Sequence, residues 1–535
     1  MLSIDQNCSS LWDALPKLHA LVRRGAAPRQ LIEDIDVAFT ALGATVDSPQ
    51  LRLARERYYR TGAADWGAAM FYSEFLGRQG LDIRRLEEFT GLKTDVLARQ
   101  LGRSVDSLFE EFSPGDNWQL IGSSYVSDRR HHRLIGDLSV SEVAPHLRQL
   151  LRLARQDMSR AFPDANSQGR IADWFARQET FLEPILSASD QMSLVELYRR
   201  WLGLHLGSSV ELGKSSQLFD LGNGAGRDAL VELFLRRYEQ AAQLYNQAVQ
   251  HTQFRPLKLE QGELPFFAAM QYQGHQVRTP MSLRQGKLVL DELEIALGPD
   301  GRLPVESLRR AGVCCLVGKA ILMVMQVRLD PHGQELALPY RGSSYMPISY
   351  RLEGLLRREG LLPAPLKPVV RVRLRLLDRL RELDANIRLP DYLAGYFGQA
   401  VIPARRLGEN WLDLQAQARQ RLEACREPKR RLQWQAQAFP ELTAQIDKLD
   451  LARRELAAQS DRPDPPTIRG MWKEAKALQV KLLDETFRQL WRDWQVSQLD
   501  YWDSRGAILP WCIALGGEDF YNHVVAGAEV YSETE

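Results

Sequence analysis

The sequence has little cysteine, almost no excess charge and no long apolar run. Its five cysteines are too few for a disulfide framework in 535 residues, and we expect them to be buried thiols. No CxxC pair or Cys/His cluster occurs, so no metal site is predicted. The net charge of +1 gives no electrostatic reason to expect nucleic acid or an anionic membrane as a partner.

The absence of long apolar segments bears on the location of the protein. The longest run, Ala311–Val327, contains Lys319 and Gln326 and is short for a membrane span. Met1–Lys17 lacks the basic and apolar parts of a signal peptide. We therefore expect a cytoplasmic protein that does not contact a membrane.

Three regions follow from the changes in residue pattern. Residues 1–112 have helical periodicity and are predicted to form consecutive short helices. Residues 113–400 alternate strand and helix patterns, with a β-rich insertion near 254–300, and predict an α/β core. Residues 401–535 are predicted to form a C-terminal helical arm and tail.

The C-terminal region has the pattern of a helical hairpin. Glu441–Ser460 and Thr467–Ser504 are long, charged and amphipathic, and the segment DRPDPP between them must interrupt the helix. Two long helices joined in this way form an antiparallel, coiled-coil-like arm. Such an arm suits a homodimer, although packing back onto its own domain is the alternative.

A candidate ligand site follows the strand predicted at Glu335–Tyr340. The turn RGSSY comes next, and an amphipathic helix is predicted at Ser349–Arg358. A glycine between strand and helix lets the backbone approach a ligand, and the N–H groups of the turn favour an anion. The residues predicted to bind substrate here are Arg341, Gly342, Ser343, Ser344 and Tyr345.

A second polar cluster follows the strand predicted at Trp118–Val126. Asp128, His131 and His132 stand just beyond its end, where α/β sheets hold their ligands. A histidine oriented by an aspartate can act as a general base. The alternative is a solvated basic loop. Trp118, Ser123 and Ser124 are the substrate-binding candidates on this strand.

The segment DLGNGAGRDAL, from Asp220 to Leu230, resembles the first motif of Rossmann-type methyltransferases that use S-adenosylmethionine. Asp220, Gly222, Gly224 and Gly226 would then bind the cofactor. That fold needs an acidic residue at the end of a second strand about 20 residues later. Here this position falls inside the helix predicted from Gly226 to Gln250, so the surrounding pattern does not match.

Three arginines alternate with apolar residues near residue 373. On a strand, Arg371, Arg373 and Arg375 would share one face and suit a polyanionic substrate. On a helix they would spread around the surface and pair with nearby carboxylates. The sequence leaves both arrangements open.

The order of features from residue 192 onward resembles that of the bacillithiol synthase family. It runs from the helix SLVELYRRWLGLHL through the aromatic strand LPFFAAMQY and an Arg278-bearing strand to Pro368–Arg379. The family's Gly-Gln-Gln loop is absent here. At the place of its acidic cluster stands WQLIGSSY, and Arg341–Tyr345 replaces its Gly-Pro-Gly-Glu turn.

The resemblance covers about residues 192–535 and implies a Rossmann-like core, a helical arm and a homodimer. It implies a ligase that joins cysteine, or a similar amine or thiol nucleophile, to a small anionic metabolite, with Arg278 among the substrate-binding residues. Whether a nucleotide takes part is left open. The alternatives are a methyltransferase using S-adenosylmethionine and a non-catalytic interaction protein on the same fold.

Overall fold

The computed structural model describes residues 1–4, 11–36, 87, 91, 93–112, 132–188, 192–222, 225–252, 254–329, 334–341, 343, 345–458, 465–503 and 508–533. The chain is a mixed α/β protein with a mostly parallel sheet, an antiparallel sheet and a helical C-terminal region. None of the helices in these ranges combines the length and the apolar character needed to cross a membrane.

The strands form two six-stranded groups and one small pair. Their bounds are β1 (Leu2–Ile4), β2 (Arg29–Ile32), β3 (His132–Arg133), β4 (Glu211–Lys214), β5 (Glu263–Tyr272), β6 (His275–Arg284), β7 (Lys287–Leu290), β8 (Leu293–Ala296), β9 (Val313–Gly318), β10 (Leu336–Pro339), β11 (Val369–Arg373), β12 (Asn386–Arg388), β13 (Val401–Pro403) and β14 (Glu529–Glu533).

The α-helices precede, connect and follow these strands. Their bounds are α1 (Leu11–Arg23), α2 (Thr94–Gln100), α3 (Val105–Phe112), α4 (Val140–Ala161), α5 (Ala165–Ser187), α6 (Leu194–Leu206), α7 (Ser215–Leu218), α8 (Ala225–Arg236), α9 (Tyr238–Val249), α10 (Val305–Arg310), α11 (Ala320–Leu329), α12 (Met346–Arg358), α13 (Leu376–Arg379), α14 (Asp391–Phe397), α15 (Ala404–Arg426), α16 (Pro428–Ala438), α17 (Pro440–Ala458), α18 (Pro465–Val496) and α19 (Ile508–Ala526). Short 3₁₀ helices cover Ile135–Asp137, Leu259–Gln261, Pro299–Gly301, Leu380–Glu382 and Leu499–Asp503.

The mostly parallel sheet has the strand order β4-β2-β1-β10-β11-β14. The first five strands are parallel, and β14 pairs antiparallel with β11 at one edge. From β1 the chain adds β2 and β4 on one side, and it later adds β10 and β11 on the other. Because parallel strands end at the same edge, the residues that follow β2, β4 and β10 all lie along the carboxyl edge.

The antiparallel sheet has the order β8-β7-β6-β5-β9, and β3 also pairs with β6. Gln273-Gly274 and Gln285-Gly286 connect its first two hairpins, and all four residues have positive φ. Two-residue turns of this kind match the twist of a hairpin. The predicted β-rich insertion is therefore confirmed. The main-chain N–H of Leu221 donates to Cys314 O over 3.0 Å, so the segment after β4 is attached to β9.

Two hydrophobic clusters hold these layers together. One joins α1 and α4–α6 to the C-terminal helices and includes the fully buried Trp411, Trp511 and Phe162. The other lies between the antiparallel sheet and helices α8–α12, around Phe234 and Phe266. In the C-terminal region α17 packs against α18, and the predicted C-terminal helical region is confirmed.

Several local predictions differ from the structure. The expectation that residues 1–112 are all helical is wrong at β1 and β2, whose short apolar stretches pair in the middle of the parallel sheet. The helix predicted at Gly226–Gln250 is two helices, because Arg237 has non-helical dihedral angles. The strand β11 contains Arg371 and Arg373, so the helical interpretation of that segment is wrong.

The periodicity of the apolar segment Val313–Val327 does not distinguish a buried strand from a buried helix. In the structure the segment contains both, the strand β9 followed by the helix α11. β9 ends at Gly318, where a Cβ atom would lie 2.3 Å from the Cβ of Leu322 on α11. Glycine is therefore required where the chain folds back on itself. The expectation of buried thiols holds for Cys315, Cys425 and Cys512, whereas Cys314 is exposed.

Candidate functional site

A cavity of about 360 Å³ lies beyond the carboxyl ends of β2 and β4, against the antiparallel sheet. This volume lies within the range of pockets that bind small molecules. Its apolar wall includes Ile35, Leu134, Val195 and Met270. Its polar lining includes Asp34, Lys214, Ser216, Asp220, Gln276 and Cys314.

Two adjacent carboxyl groups follow β2 and meet two adjacent serines that follow β4. Glu33 accepts a hydrogen bond from Ser215 Oγ at 3.0 Å. Asp34 Oδ1 accepts from the main-chain N–H of Ser216 at 2.8 Å, and its Oδ2 accepts from Ser216 Oγ. These contacts arise because β2 and β4 run parallel, with Ile32 opposite Lys214.

Burial changes the acidity of both carboxyl groups. Burial raises the pKa of Glu33 well above its usual value, and the negative charges of Asp36 and Asp34 raise it further. Burial also raises the pKa of Asp34, although the hydrogen bonds from Ser216 and the charge of Lys214 act in the opposite direction. Burial thus favours the protonated form of both carboxyl groups, and most strongly that of Glu33.

A glycine fixes the backbone of Asp34. The N–H of Gly136 donates to Asp34 O at 2.8 Å. A Cβ at position 136 would itself lie 2.8 Å from that oxygen and 3.3 Å from Asp34 Cβ. No larger residue fits here without moving Asp34.

The cavity carries charges of both signs. Lys214 forms no ion pair within the part of the chain that the structure describes. Asp220 is exposed, and its main chain bridges to Cys315. Burial and the nearby charge of Asp220 raise the pKa of the Cys314 thiol, which disfavours a nucleophilic thiolate at this position. The charged groups of the cavity lining are thus a cation, Lys214, and the carboxyl groups of Asp34 and Asp220.

Arg278 and His132, both predicted from sequence, lie beside this cavity. His132 on β3 is the pairing partner of Arg278 on β6. The guanidinium of Arg278 stacks over the ring of Phe267 at 3.7 Å and lies 3.5 Å from Asp36. The neighbouring residues Leu134 and Gln276 line the cavity. The structure thus brings together two candidates that are far apart in the sequence.

The predicted site at Arg341 lies on the same carboxyl edge, at the end of β10. Its guanidinium donates to Asp500 Oδ2 through Nε at 3.1 Å and also through Nη2. Asp500 is 5% exposed and also accepts from Gln415 at 2.9 Å. The side chain of Arg341 is 38% exposed, so it faces solvent while it is anchored to the C-terminal region.

The other members of this predicted site differ in accessibility. Ser343 has a left-handed φ of 58°, and its carbonyl accepts from Met346 N at 2.9 Å. Tyr345 is 8% exposed, so its ring belongs mainly to the core. Other predicted site residues lie outside the described residues, namely Trp118, Ser123, Ser124, Asp128, His131, Gly224, Gly342 and Ser344.

The three alternating arginines are paired with carboxylates from the C-terminal region. Arg371 contacts Glu533 at 2.9 Å, and Arg373 lies 3.7 Å from Asp503. Arg375, which follows the strand, contacts Glu529 at 2.5 Å. Their charges are used within the fold, which gives no support to a polyanion site on this face.

The glycine loop does not match a cofactor-binding turn. It follows the helix α7 rather than a strand, and the N–H of Gly222 donates to the side chain of Asp228 at 3.1 Å. A Cβ on Gly222 would lie 3.1 Å from Val305. Gly226 lies within α8. The N–H of Gly222 and the space beside it are thus already used by the protein, which gives no support to cofactor binding at Gly222.

The cavity residues Asp34, Lys214 and Ser216 were not predicted from the sequence. An available signal was the acidic pair that directly follows the apolar residues Leu31 and Ile32. No group of three potential metal-ligating side chains occurs within the residues that the structure places. Comparison of the chain with protein-family models, with curated proteins and with solved structures gives no match.

Proposed function

We propose that the chain is a ligase-like enzyme that joins an amino acid, or a similar amine or thiol nucleophile, to a small anionic metabolite. The observation that carries the proposal is the cavity at the carboxyl edge, which Lys214 lines together with Asp34 and Asp220. A free amino acid is a zwitterion with a carboxylate and an ammonium group. Opposite charges in a small cavity complement both groups.

The strand order supports a Rossmann-like core as the framework of this enzyme. Counted in chain order, the parallel sheet has the order 3-2-1-4-5-6, in which the direction of addition reverses at β1. Ligands of such sheets bind outside the carboxyl ends of the strands. The cavity lies on one side of β1 and Arg341 on the other. We assign the amino acid to the cavity and the anionic metabolite to Arg341, in keeping with the resemblance to bacillithiol synthase.

Ligand binding to the purified protein tests this function. We expect L-cysteine or another small amino acid to raise the melting temperature, and calorimetry to give a saturable isotherm. A ligand at about 100 times its dissociation constant adds about 2.7 kcal/mol to the free energy of unfolding. A response to S-adenosylmethionine alone would support the methyltransferase alternative, and no response to any amino acid would refute the proposal.

Lys214→Met provides the matched test of the charged cavity. We expect this variant to lose most of the affinity for L-cysteine, because the ligand carboxylate loses its cationic partner. Lys287→Met is the control, since Lys287 lies on β7 outside the cavity and pairs with Glu294 at 2.7 Å. Equal affinity of both variants for L-cysteine would remove Lys214 from the site.

We also propose a homodimer formed through the α17–α18 arm. Leu451 on α17 is 58% exposed and Trp472 on α18 is 49% exposed, at equal distances from the turn between the helices. The two helices differ in charge, because the first half of α18 is mainly basic while acidic residues slightly exceed basic ones on α17. A two-fold axis would therefore place α18 of one copy against α17 of the other.

Light scattering after size-exclusion chromatography tests the dimer. Trp472→Glu should give monomers at concentrations where the unmodified protein is dimeric. Leu204→Glu on α6 is the control, because Leu204 is equally exposed at 55% but lies outside the arm. A monomeric unmodified protein, or an unchanged dimer in Trp472→Glu, would contradict the arrangement.

A further inference from the structure

Side-chain hydrogen bonds prolong the pairing of β2 and β4 beyond the ends of both strands. The last paired residues are Ile32 and Lys214. In the next two positions, Glu33 binds Ser215 and Asp34 binds Ser216 through both its main-chain N–H and its hydroxyl group. The two carboxyl groups are therefore held in place before any ligand arrives.

Only one of these two carboxyl groups reaches the cavity. Asp34 is part of the lining, whereas Glu33 is not. The side chains are similarly buried, at 6% and 5% exposure, so the difference is one of direction and not of depth. The N–H of Gly136 donates to the main-chain oxygen of Asp34 at 2.8 Å and so holds its backbone in place. Asp34 is thus a carboxyl group held in a fixed position at the cavity surface.

Asp220 is the other carboxylate of the lining, and it is less suited to hold a cation. Its side chain is exposed, so water competes for it and screens its charge. Asp34 is removed from bulk water, and a charge-assisted hydrogen bond to it is correspondingly stronger.

Charged and titratable groups surround Asp34 on several sides. Glu33 and Asp36 are on its own segment, Lys214 is the last residue of β4, and Cys315 lies on β9. Lys214 favours the ionised form of Asp34, while burial favours the protonated form and raises its pKa overall. A cation entering the cavity would therefore shift Asp34 towards ionisation.

We propose that Asp34 is the residue that recognises a primary ammonium group in this cavity, and that binding of the ammonium is coupled to release of a proton. This inference rests on the amino-acid function proposed above. In the protonated fraction of the protein, the O–H bond of Asp34 breaks, its electron pair stays on the carboxylate and the proton passes to the buffer. The ligand remains R–NH₃⁺ and forms an ion pair with the carboxylate.

Isothermal titration calorimetry with L-cysteine measures both parts of the proposal. Titrations in buffers of different ionisation enthalpy give the number of protons released. We expect release that is greatest at acidic pH and disappears at higher pH, with affinity that weakens about tenfold per pH unit below the pKa of Asp34. N-acetyl-L-cysteine, which lacks the ammonium group, should bind at least about tenfold more weakly.

Two adjacent variants separate Asp34 from its neighbour. Asp34→Asn should weaken binding of L-cysteine roughly 10- to 100-fold and abolish the proton release. Glu33→Gln keeps the size of a side chain that does not line the cavity, and it should keep the affinity at pH 7 within about threefold. Circular dichroism checks that both variants remain folded.

The outcomes distinguish this inference from the proposed function. If the unmodified protein binds L-cysteine and Asp34→Asn binds it equally well, the role of Asp34 is refuted and the amino-acid function stands. Equal binding of N-acetyl-L-cysteine by the unmodified protein refutes ammonium recognition. If the unmodified protein binds no amino acid at millimolar concentration, the proposed function itself fails.

Discussion

The contact between the parallel sheet and the C-terminal region should depend on pH through Asp503. This residue is completely buried, and burial raises its pKa from 3.8 to about 7. One carboxylate oxygen accepts from Leu377 N at 2.9 Å, while the other has no hydrogen-bond partner among the described residues. Arg373, at 3.7 Å, compensates part of the buried charge.

The direction of the effect follows from the two pKa values. Because the folded pKa is raised, the native protein binds this proton more tightly than the unfolded chain does. The resulting stability is fully present below about pH 4 and is lost as the pH rises through about 7. A shift of about three units corresponds to about 4 kcal/mol in the free energy of unfolding.

Urea unfolding of the unmodified protein and of Asp503→Asn between pH 4 and pH 8 tests this magnitude. The amide keeps an acceptor for Leu377 N but does not titrate. We therefore expect the difference in the free energy of unfolding, variant minus unmodified protein, to rise by about 4 kcal/mol between pH 4 and pH 8. Asp384→Asn is the control, because that side chain is 95% exposed. Parallel profiles of the unmodified protein and Asp503→Asn would refute the assignment.

Three further predictions concern the cavity and the buried polar groups. Gly136→Ala should displace Asp34 and weaken amino-acid binding at least about tenfold, whereas Gly169→Ala, with open space around its Cβ, should not; calorimetry checks both. Burial lowers the pKa of His205 from 6.5 to about 4, so the free energy of unfolding should fall as the pH drops from 6.5 to 4. In urea unfolding, this fall should be about 2 kcal/mol smaller in His205→Gln than in the unmodified protein. Glu353→Leu leaves the buried Arg328 without its carboxylate and should cost about 3 to 5 kcal/mol in urea unfolding, while adding Arg328→Met should restore most of that loss.

The sequence contains local signals for several helix ends and turns. Ser139 and Glu142 form the capping box that begins α4, and Gln273-Gly274 makes the two-residue turn of a hairpin. The arm could be predicted because its helices are long and its turn is rich in proline. In each case the residues that determine the structure are close together in the chain, so the pattern is visible without a partner segment.

The centre of the parallel sheet could not be found in this way. β1 has three residues and β2 has four, which is too short for a reliable alternation of polar and apolar positions. Their stability as strands comes from pairing with β10 and β4, which lie far away in sequence. The acidic pair that follows β2 could therefore not be assigned to a ligand-binding edge from the sequence alone.

The glycine loop and the cavity show why chemistry depends on position in the fold. Gly222 belongs to the best sequence match to a cofactor motif, yet its N–H donates to the side chain of Asp228 in the first turn of α8. Asp34 belongs to no motif, yet the register of β2 against β4 places it beside Ser216 and on the cavity surface. A motif predicts function only where its hydrogen-bond donors are free to contact a ligand. At this carboxyl edge, the register between two strands that are distant in sequence determines which side chains line the cavity.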